Sequence, residues 1–219
     1  MSHDTQVTNP EGVMGLLLRL RGIGITDPDF LKLVESVPHD KFVPVEYFSH
    51  AWKDVSLPLR CGQTLPSPDM MARLLYEARI APSHTVLEIG TGSGYLTALL
   101  ARNSRKVVSL DRYRMLIEDA RTRMQAISVS NVTFEHADGR KGGVEQGLYD
   151  RIVCDSAFEE MPRQLSDPLV AGGEVITALG AANEEQMLVR LTKIGNRFDR
   201  QDLFPVRFGV LEEGKSAAL

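Results

Sequence analysis

Three alternating glycines, Gly90, Gly92 and Gly94, separate an apolar run from a stretch with helical spacing. Residues 85–89 predict a buried strand, and the leucines within residues 96–100 predict the buried face of a helix. A glycine turn between strand and helix permits positive φ angles and lets a ligand approach the main chain and the helix N-terminus. The spacing therefore favours binding of a nucleotide-type ligand, and a tight connection without a ligand is the alternative interpretation.

Glu88, two positions before the first glycine, distinguishes two classes of nucleotide-type ligand. A dinucleotide-binding turn has the pattern G-x-G-x-x-G, whereas this turn has E-x-G-x-G-x-G. The acidic pattern resembles the first motif of the S-adenosylmethionine (SAM)-dependent methyltransferases. That resemblance implies SAM as the cofactor and a cofactor-binding set of Glu88, Gly90, Thr91, Gly92, Ser93, Gly94 and Tyr95.

Asp111 ends a second apolar run, residues 107–111, and lies 21 positions after Gly90. In nucleotide-binding α/β folds, an acidic side chain about 20 residues beyond the glycine turn accepts hydrogen bonds from the ribose hydroxyls. A carboxylate suits two adjacent hydroxyls because it has two oxygens and only accepts hydrogen bonds. The alternative is that Asp111 caps a helix beginning near Arg112, and the two roles are compatible. We include Arg112 in the predicted cofactor site.

Two further strand ends bring carboxylates to the same predicted edge of the sheet. Residues 132–136 predict a third strand, followed by Asp138 and Gly139, and residues 152–154 predict a fourth, followed by Asp155. Ligands of open α/β sheets bind beyond the carboxyl ends of the strands. The resemblance to methyltransferases implies that Asp138 accepts the adenine amino group, with an Asx turn as the alternative, and that Asp155 lies near the methyl group.

The elements that position these residues predict a single α/β domain over residues 1–219. Residues 1–80 predict helices and a proline-rich loop whose aromatic side chains wall a pocket. Residues 81–219 predict the α/β core and end in a hairpin-like pair of strands, residues 186–193 and 202–210. The predicted fold is a doubly wound Rossmann-like sheet, mostly parallel with an antiparallel C-terminal strand, plus an N-terminal helical and loop extension.

Composition argues against several other classes of protein. The net charge of −4 gives no electrostatic footprint for nucleic acid. No apolar run approaches the ~18 residues of a membrane span, and the N-terminus around Asp4 lacks the blocks of a signal peptide. Cys61 and Cys154 have neither metal-site spacing nor the pattern of a disulfide framework. We therefore expect a cytoplasmic protein with no metal site and no nucleic-acid or membrane partner.

Beyond the glycine motif, the chain resembles the protein-L-isoaspartate O-methyltransferase family over almost its whole length. The segment from Leu87 to Tyr95 matches that family nearly letter for letter, although many methyltransferases share it. The N-terminal signatures and the Gln-Thr turn are more specific. The matching segments follow the family's order: Arg21-Gly22-Ile23, Val37-Pro38-His39-Asp40-Lys41-Phe42-Val43-Pro44, Asp54-Val55-Ser56-Leu57-Pro58-Leu59, Gly62-Gln63-Thr64, Asn131-Val132, Ala137-Asp138-Gly139, Tyr149-Asp150-Arg151-Ile152-Val153, Leu169-Val170-Ala171-Gly172-Gly173 and Phe208.

This resemblance implies methyl transfer from SAM to the carboxylate that is exposed when an aspartyl or asparaginyl residue of a protein or peptide has isomerised to isoaspartyl. A carboxylate with a pKa near ~4 is ionised at neutral pH, so the transfer needs no general base. It needs alignment of the carboxylate oxygen, the methyl carbon and the sulfur, and exclusion of water. The ester favours succinimide formation, which implies a role in protein repair.

Three departures from the family pattern fall in regions implied to hold the acceptor. The family's Gly-Gln-Thr-Ile-Ser is replaced by a segment ending in Pro66, which has no hydroxyl. Thr64 and Ser67 remain as candidate catalytic hydroxyls. Asp69 adds a negative charge that would repel an anionic substrate if it faced the site, and Gly-Val replaces Val-Pro after Phe208. Two alternatives therefore stay open: methylation of a different acceptor, and a SAM-binding module without catalysis.

Overall fold

The computed structural model describes residues 9–141 and 148–216. The N-terminal segment around Asp4, on which the signal-peptide expectation depends, lies outside the described residues. The described α-helices are α1 (Pro10–Gly22), α2 (Pro28–Glu35), α3 (Pro68–Ala78), α4 (Tyr95–Arg102) and α5 (Arg114–Ala126). The described strands are β1 (Leu57–Pro58), β2 (Thr64–Leu65), β3 (Thr85–Ile89), β4 (Lys106–Asp111), β5 (Val132–His136), β6 (Tyr149–Phe158), β7 (Leu169–Leu179), β8 (Gln186–Ile194) and β9 (Arg197–Val206).

Seven strands form one sheet in the order β5-β4-β3-β6-β7-β8-β9. The neighbours from β5 to β7 are parallel, and β8 is antiparallel to both β7 and β9. This arrangement confirms the predicted Rossmann-like, mostly parallel sheet with an antiparallel strand near its C-terminal edge. Because the chain leaves β5 at one edge and returns beside β3 as β6, a topological switch point lies between β3 and β6, where ligands of such sheets bind.

The central strands bury side chains on both faces, as expected for a parallel sheet. Val86 and Val107 belong to a core shared with residues of α3 and α4. Their chain neighbours Leu87 and Val108 belong to a second core that includes Leu165 of a short 3₁₀ helix. This alternation is the period-two geometry of strands, and it holds the strand ends in fixed positions relative to one another.

The N-terminal region packs its own helices and then forms one wall of the later site. The apolar stripe of α1 is buried in a third core with residues of α2 and α3. The side chains of Asn9 and Asp27 accept hydrogen bonds from the first turns of α1 and α2, as N-caps do. Within the predicted loop, three 3₁₀ turns and the antiparallel pair β1 and β2 replace an irregular path.

Three element boundaries differ from the sequence prediction. Strand β6 continues through Asp155 to Phe158 instead of ending at residue 154, with an irregular register between Val153 and Ala157. Asp155 therefore lies in a bulged part of the strand. The last strand covers Arg197–Val206 and not residues 202–210, since β8 and β9 pair from Ile194 and Arg197 onward. Helix α5 begins at Arg114 with Tyr113 at its N-cap position, so Asp111 is not its cap.

The helix lengths, hydropathy and side-chain positions within the described residues, 9–141 and 148–216, bear on membrane helices and metal sites. No helix in these ranges is long and apolar enough to cross a membrane. The same residues contain no group of three or more His, Cys, Asp or Glu side chains arranged to hold a metal ion. Cys61 and Cys154 are both unpaired thiols.

Candidate active site

A cleft of about 800 Å³ opens at the carboxyl ends of the central strands, within the size range of small-molecule sites. One wall is the glycine turn with the ends of β3, β4 and β6. A second wall is the N-terminal segment from Asp54 to Met70, and a third is the C-terminal segment after β9. The cleft therefore joins the predicted cofactor region to the predicted acceptor region in one space.

The predicted site residues divide into two groups by their position. Those that line the cleft are Thr64, Ser67, Gly90, Gly92, Asp111, Arg112, Gly139 and Asp155. Those that the structure does not place on its wall are Glu88, Thr91, Ser93, Gly94, Tyr95 and Asp138. Apart from Asp138, which follows β5, the second group lies in or next to the glycine turn, where its members shape the turn through hydrogen bonds and packing.

The three glycines of the turn serve different purposes. All three have positive φ, at +98° for Gly90, +52° for Gly92 and +86° for Gly94. A Cβ atom at Gly90 would lie 2.7 Å from Asp155 Oδ1, and one at Gly94 would lie 3.0 Å from Ala120 Cβ. At Gly92 the nearest atom would be 3.8 Å away. Gly92 is therefore the glycine that leaves open space on the cleft side of the turn.

Glu88 anchors a buried polar network under this turn. Its Oε2 accepts hydrogen bonds from the hydroxyls of Thr97 and Ser109, each at 2.6 Å. The Thr91 hydroxyl lies 2.6 Å from that of Ser109, and because Ser109 donates its one hydrogen to Glu88, Thr91 is the donor there. Burial raises the pKa of Glu88 to about 8, against the lowering effect of the two hydroxyls. Glu88 acts on the turn through Ser109 and Thr91.

Tyr95 and Ser93 close the turn onto helix α4. The Ser93 Oγ accepts the Tyr95 backbone N–H at 3.2 Å. The Tyr95 ring is buried in the core, with its centroid 4.5 Å from that of His39 and 5.5 Å from that of Phe42. Burial raises the pKa of Tyr95 above its ordinary value. The ring thus links the first helix after the turn to the short 3₁₀ helix that contains His39 and Phe42.

Asp111 connects the glycine turn to the start of α5 by accepting hydrogen bonds from backbone N–H groups. Its Oδ2 accepts the Gly92 N–H at 3.0 Å and its Oδ1 accepts the Tyr113 N–H at 2.8 Å. Burial raises the pKa of Asp111, and these N–H donors oppose the rise. Each carboxylate oxygen can accept further hydrogen bonds, so the geometry leaves the carboxylate able to receive the hydroxyls of a ligand in the cleft.

Asp155 lies on the opposite side of the glycine turn and still lines the cleft. Burial, and after it the negative charge of Asp111, raise its pKa to about 7. A cation bound nearby favours the ionised form of such a carboxylate and is attracted by it. A sulfonium-bearing ligand therefore fits the two carboxylates and the open face of Gly92.

Asp138 is engaged by the protein itself. Its Oδ1 accepts the Arg140 N–H at 3.1 Å, which is the Asx-turn geometry of the alternative interpretation. Its Oδ2 accepts the Gly214 N–H at 3.1 Å. The same C-terminal segment donates from Ser216 N–H to the Arg112 carbonyl at 3.0 Å and pairs Glu212 with the Arg112 guanidinium. The segment thus crosses the predicted adenine end of the cleft.

On the acceptor side, the structure assigns distinct environments to the hydroxyl groups. Pro66 and the exposed Thr64 line the cleft. The Ser67 hydroxyl donates to Asp54 Oδ1 at 2.6 Å and accepts the Met70 N–H at 3.2 Å as the N-cap of α3. The one hydroxyl hydrogen of Ser67 is therefore directed to Asp54, a cleft residue that sequence reasoning quoted only as part of a motif.

The negative charge of Asp69 is neutralised within the fold. Arg19 on α1 donates from Nε to Asp69 Oδ1 at 2.7 Å and from a terminal nitrogen to Oδ2 at 2.8 Å. Asp69 does not line the cleft. Its charge is paired with Arg19 on α1. Asp69 therefore does not face the site, which was the condition under which it would repel an anionic substrate.

Sequence reasoning missed two C-terminal residues. Gln186, at the start of β8, is buried and clamps Phe208, since its Oε1 accepts the Phe208 N–H at 2.7 Å and its Nε2 donates to the Phe208 carbonyl at 2.9 Å. Arg207 lies just before Phe208 and lines the cleft. A glutamine at the start of an apolar strand is a weak sequence signal for a buried hydrogen-bonding residue. A single arginine beside a family motif gives no sequence signal that it lines the cleft.

Comparison with known proteins agrees with this geometry. The family model for protein-L-isoaspartate(D-aspartate) O-methyltransferase matches residues 13–216. A protein-L-isoaspartate O-methyltransferase of Azorhizobium caulinodans is 42% identical over 203 residues, which cover 93% of this chain and 94% of the relative. A protein of the same name from Parvibaculum lavamentivorans is 39% identical over 201 residues, covering 91% and 90%.

Solved structures give the same result. A Plasmodium falciparum protein assigned to the protein-L-isoaspartate O-methyltransferases, crystallised in complex with S-adenosyl-L-homocysteine, superposes with a TM-score of 0.76 at 25% identity, over 91% of this chain and 97% of that one. Another protein-L-isoaspartate O-methyltransferase gives a TM-score of 0.81 at 25% identity, over 93% of this chain and 66% of that one. By sequence and by fold, this chain belongs to the protein-L-isoaspartate(D-aspartate) O-methyltransferase family.

Proposed function

We propose that this protein transfers a methyl group from SAM to the free carboxylate of isoaspartyl residues in damaged proteins and peptides. The observation that carries the proposal is the single continuous cleft, which the glycine turn and Asp155 line together with Thr64, Pro66 and Phe208. Family membership supports the same reaction.

Four residues supply the cofactor side of this proposal. Gly92 leaves room beside the main chain, Asp111 offers carboxylate oxygens for ribose hydroxyls, and Asp155 offers a charge that favours a nearby cation. Gly139 lines the same end of the cleft. When bound, SAM supplies an electrophilic methyl group on a positively charged sulfur. The residues present fit that group.

On the acceptor side, the chain positions the nucleophile and excludes water. An isoaspartyl carboxylate is already ionised at neutral pH, so no residue has to remove a proton from it. Met70, Pro66 and Phe208 give this part of the cleft apolar surface, which reduces hydration of the reacting oxygen. The Thr64 hydroxyl is the candidate donor that orients the carboxylate, and Ser67 fixes Asp54 and the start of α3.

We also propose the setting in which this reaction takes place. Two unpaired cysteines suit a reducing cytoplasm. A net charge of −4 favours polypeptide acceptors over nucleic acids, and we assign no membrane partner. Residues 1–80 and residues 81–219 act as one domain, because both contribute walls of the same cleft.

Incubation with radiolabelled SAM tests the proposal. An isoaspartyl peptide should acquire a base-labile methyl ester, and the same peptide with an ordinary aspartyl residue should not. SAM binding without ester on the isoaspartyl peptide would contradict the proposed acceptor. Methylation of another acceptor would then favour a different substrate, and absence of any turnover with cell extract would favour a SAM-binding module.

A further inference from the structure

Arg207 is a cationic side chain that lines the cleft. It is the first residue after β9, it is exposed, and it lines the cleft beside Phe208. Within residues 9–141 and 148–216, its guanidinium makes no hydrogen bond and no ion pair. An arginine without a protein partner in a ligand cleft keeps all five N–H donors for a ligand.

The backbone that carries Arg207 is firmly held. Gln186 binds both the N–H and the carbonyl of Phe208, at 2.7 and 2.9 Å. Farther along, the Gly209 carbonyl accepts the Ala157 N–H and the Ala157 carbonyl accepts the Leu211 N–H, both at 2.8 Å. The side chain of Arg207 therefore extends from a fixed point on the cleft wall, which lowers the entropic cost of binding a ligand there.

The charges on the rest of the cleft wall create a need for such a cation. Among the described residues, the lining carboxylates are Asp54, Asp111, Asp155 and Glu212, and the only other lining arginine, Arg112, is paired with Glu212. An anionic acceptor that enters this space is repelled by these carboxylates. A free guanidinium at the acceptor wall offsets that repulsion.

The acceptor loop adds to this need. Pro66 stands where the family has a serine, and it has neither a hydroxyl nor a backbone N–H. The next hydroxyl, on Ser67, directs its hydrogen to Asp54. The hydroxyl that the family pattern has at this position is therefore absent, and the neighbouring hydroxyl of Ser67 is committed within the protein.

We propose that Arg207 binds the carboxylate of the isoaspartyl acceptor and takes over the recognition that the missing serine would provide. This inference rests on the proposed function and names the residue that recognises the acceptor's charge. The planar guanidinium can bind a carboxylate through two parallel N–H···O bonds, which fix its plane as well as its position. Each carboxylate oxygen retains a further lone pair for attack on the methyl carbon.

The contact also distinguishes substrate from product. In the transfer, the carboxylate oxygen forms a bond to the methyl carbon while the carbon–sulfur bond breaks and its electron pair stays on sulfur. The ester that results has no charge, so its attraction to Arg207 is lost. Arg207 therefore favours binding of the substrate over retention of the product.

Steady-state kinetics with an isoaspartyl peptide tests this assignment. For Arg207→Gln we expect kcat/KM to fall by about 10- to 100-fold, mainly through KM, because a hydrogen-bonded charge pair is lost. Arg207→Lys should recover part of the loss, and the affinity for SAM should stay unchanged.

The matched control is Arg197→Gln, which removes the same charge at the far end of β9, outside the cleft. An equal effect of the two glutamine variants, or a KM within about twofold of wild type for Arg207→Gln, would overturn the proposal.

A binding measurement separates this inference from the proposed function. In the presence of S-adenosyl-L-homocysteine, calorimetry compares the isoaspartyl peptide with its isoasparaginyl analogue, in which a neutral amide replaces the carboxylate. The wild type should prefer the carboxylate, and Arg207→Gln should lose that preference. If no ester forms but this preference is present and depends on Arg207, the proposed function fails and the assignment of Arg207 stands. Equal binding of the two peptides by the wild type, or binding of neither, would overturn it.

Discussion

Ser67 donates its hydroxyl hydrogen to Asp54 across 2.6 Å, and its oxygen also accepts the Met70 N–H. The two bonds connect the segment before β1 to the first turn of α3, 13 residues apart in sequence. The hydroxyl that follows Pro66 thus has a role in holding the acceptor wall together. Because its hydrogen points to Asp54, the Ser67 hydroxyl has a different role from that of the family's serine, whose position Pro66 occupies in this chain.

Ser67→Ala tests this division of roles. We expect the free energy of unfolding to fall by about 0.5–2 kcal/mol because the N-cap of α3 is lost. Because the hydroxyl hydrogen is directed to Asp54, we expect kcat to fall by less than about tenfold. Denaturant unfolding and initial rates check the two effects, with Ser67→Thr as a control that keeps the hydroxyl. A folded Ser67→Ala protein with kcat lowered by more than about 100-fold would show that Ser67 acts on the substrate.

Pro66→Ser tests how much the missing hydroxyl would add to kcat/KM. A serine at this position of the cleft wall adds one neutral hydrogen-bond donor for the acceptor carboxylate. We expect kcat/KM for an isoaspartyl peptide to rise by about 2- to 10-fold. Pro66→Ala removes the ring without adding the hydroxyl, so an equal rise in that variant would assign the gain to a more flexible loop.

Asp111→Ala tests the cofactor side of the cleft. Loss of hydrogen bonds to a charged acceptor should weaken SAM binding by about 1.5–3 kcal/mol, measured by calorimetry. Asp119→Ala provides a matched control, because Asp119 pairs with Arg60 at 3.2 Å and does not line the cleft. Equal SAM affinity in wild type and Asp111→Ala would remove Asp111 from the ribose assignment. A comparable loss in both variants would point to a general charge effect.

The strand ends were predictable because each is marked by a local pattern. The runs that end at Ile89, Asp111 and His136 are strands with the predicted carboxyl ends. Strands buried on both faces require continuous apolar runs, and polar residues appear where the chain leaves the sheet. The sequence also predicted the correct edge of the sheet for Asp155. It did not predict that the strand continues beyond Asp155, because the bulge between Val153 and Ala157 has no local sequence signature.

The partners of polar side chains were not predictable in the same way. Asp69 pairs with Arg19 across 50 residues, and Asp138 accepts the N–H of Gly214 across 76. Such pairs depend on how α1 and the C-terminal segment pack, which spacing within one segment does not encode. Glu88 illustrates the same limit. Its place in the motif suggested a ligand contact, whereas the strand's period-two alternation turns its side chain into the buried network with Ser109.

The pKa of Asp155 predicts how cofactor affinity depends on pH. In the ligand-free protein this pKa is about 7, and a nearby sulfonium favours the ionised form. Binding of SAM should therefore release a proton, and SAM affinity should be up to about tenfold lower at pH 6 than at pH 8. S-adenosyl-L-homocysteine has no sulfonium charge and should show a smaller change, which calorimetry can measure.

Comparison of the two ligands controls for their shared groups. Both carry an α-amino group that titrates near pH ~8, so only the difference between their pH profiles reports on the sulfonium. Asp155→Asn should make the two profiles parallel. Parallel profiles in the wild type would show that Asp155 does not interact with the sulfonium.

Glu88 predicts a pH dependence of stability that is independent of any ligand. Its pKa is about 8 in the folded protein against an ordinary value of 4.5, so the folded state holds an extra proton between these values. The contribution of Glu88 to the free energy of unfolding is fully present below pH ~4.5 and is lost as the pH rises through ~8.

Glu88→Gln should remove that loss, because the amide oxygen can accept from Thr97 and Ser109 but does not ionise. Its new N–H₂ group, in place of the unpartnered Oε1, should lower stability equally at every pH. Thermal unfolding from pH 5 to 8 should therefore show Glu88→Gln gaining on the wild type as the pH rises, whereas exposed Glu118→Gln should follow the wild type throughout. Parallel curves for Glu88→Gln and the wild type would mean that Glu88 is ionised across this range and that the network under the glycine turn accommodates its charge.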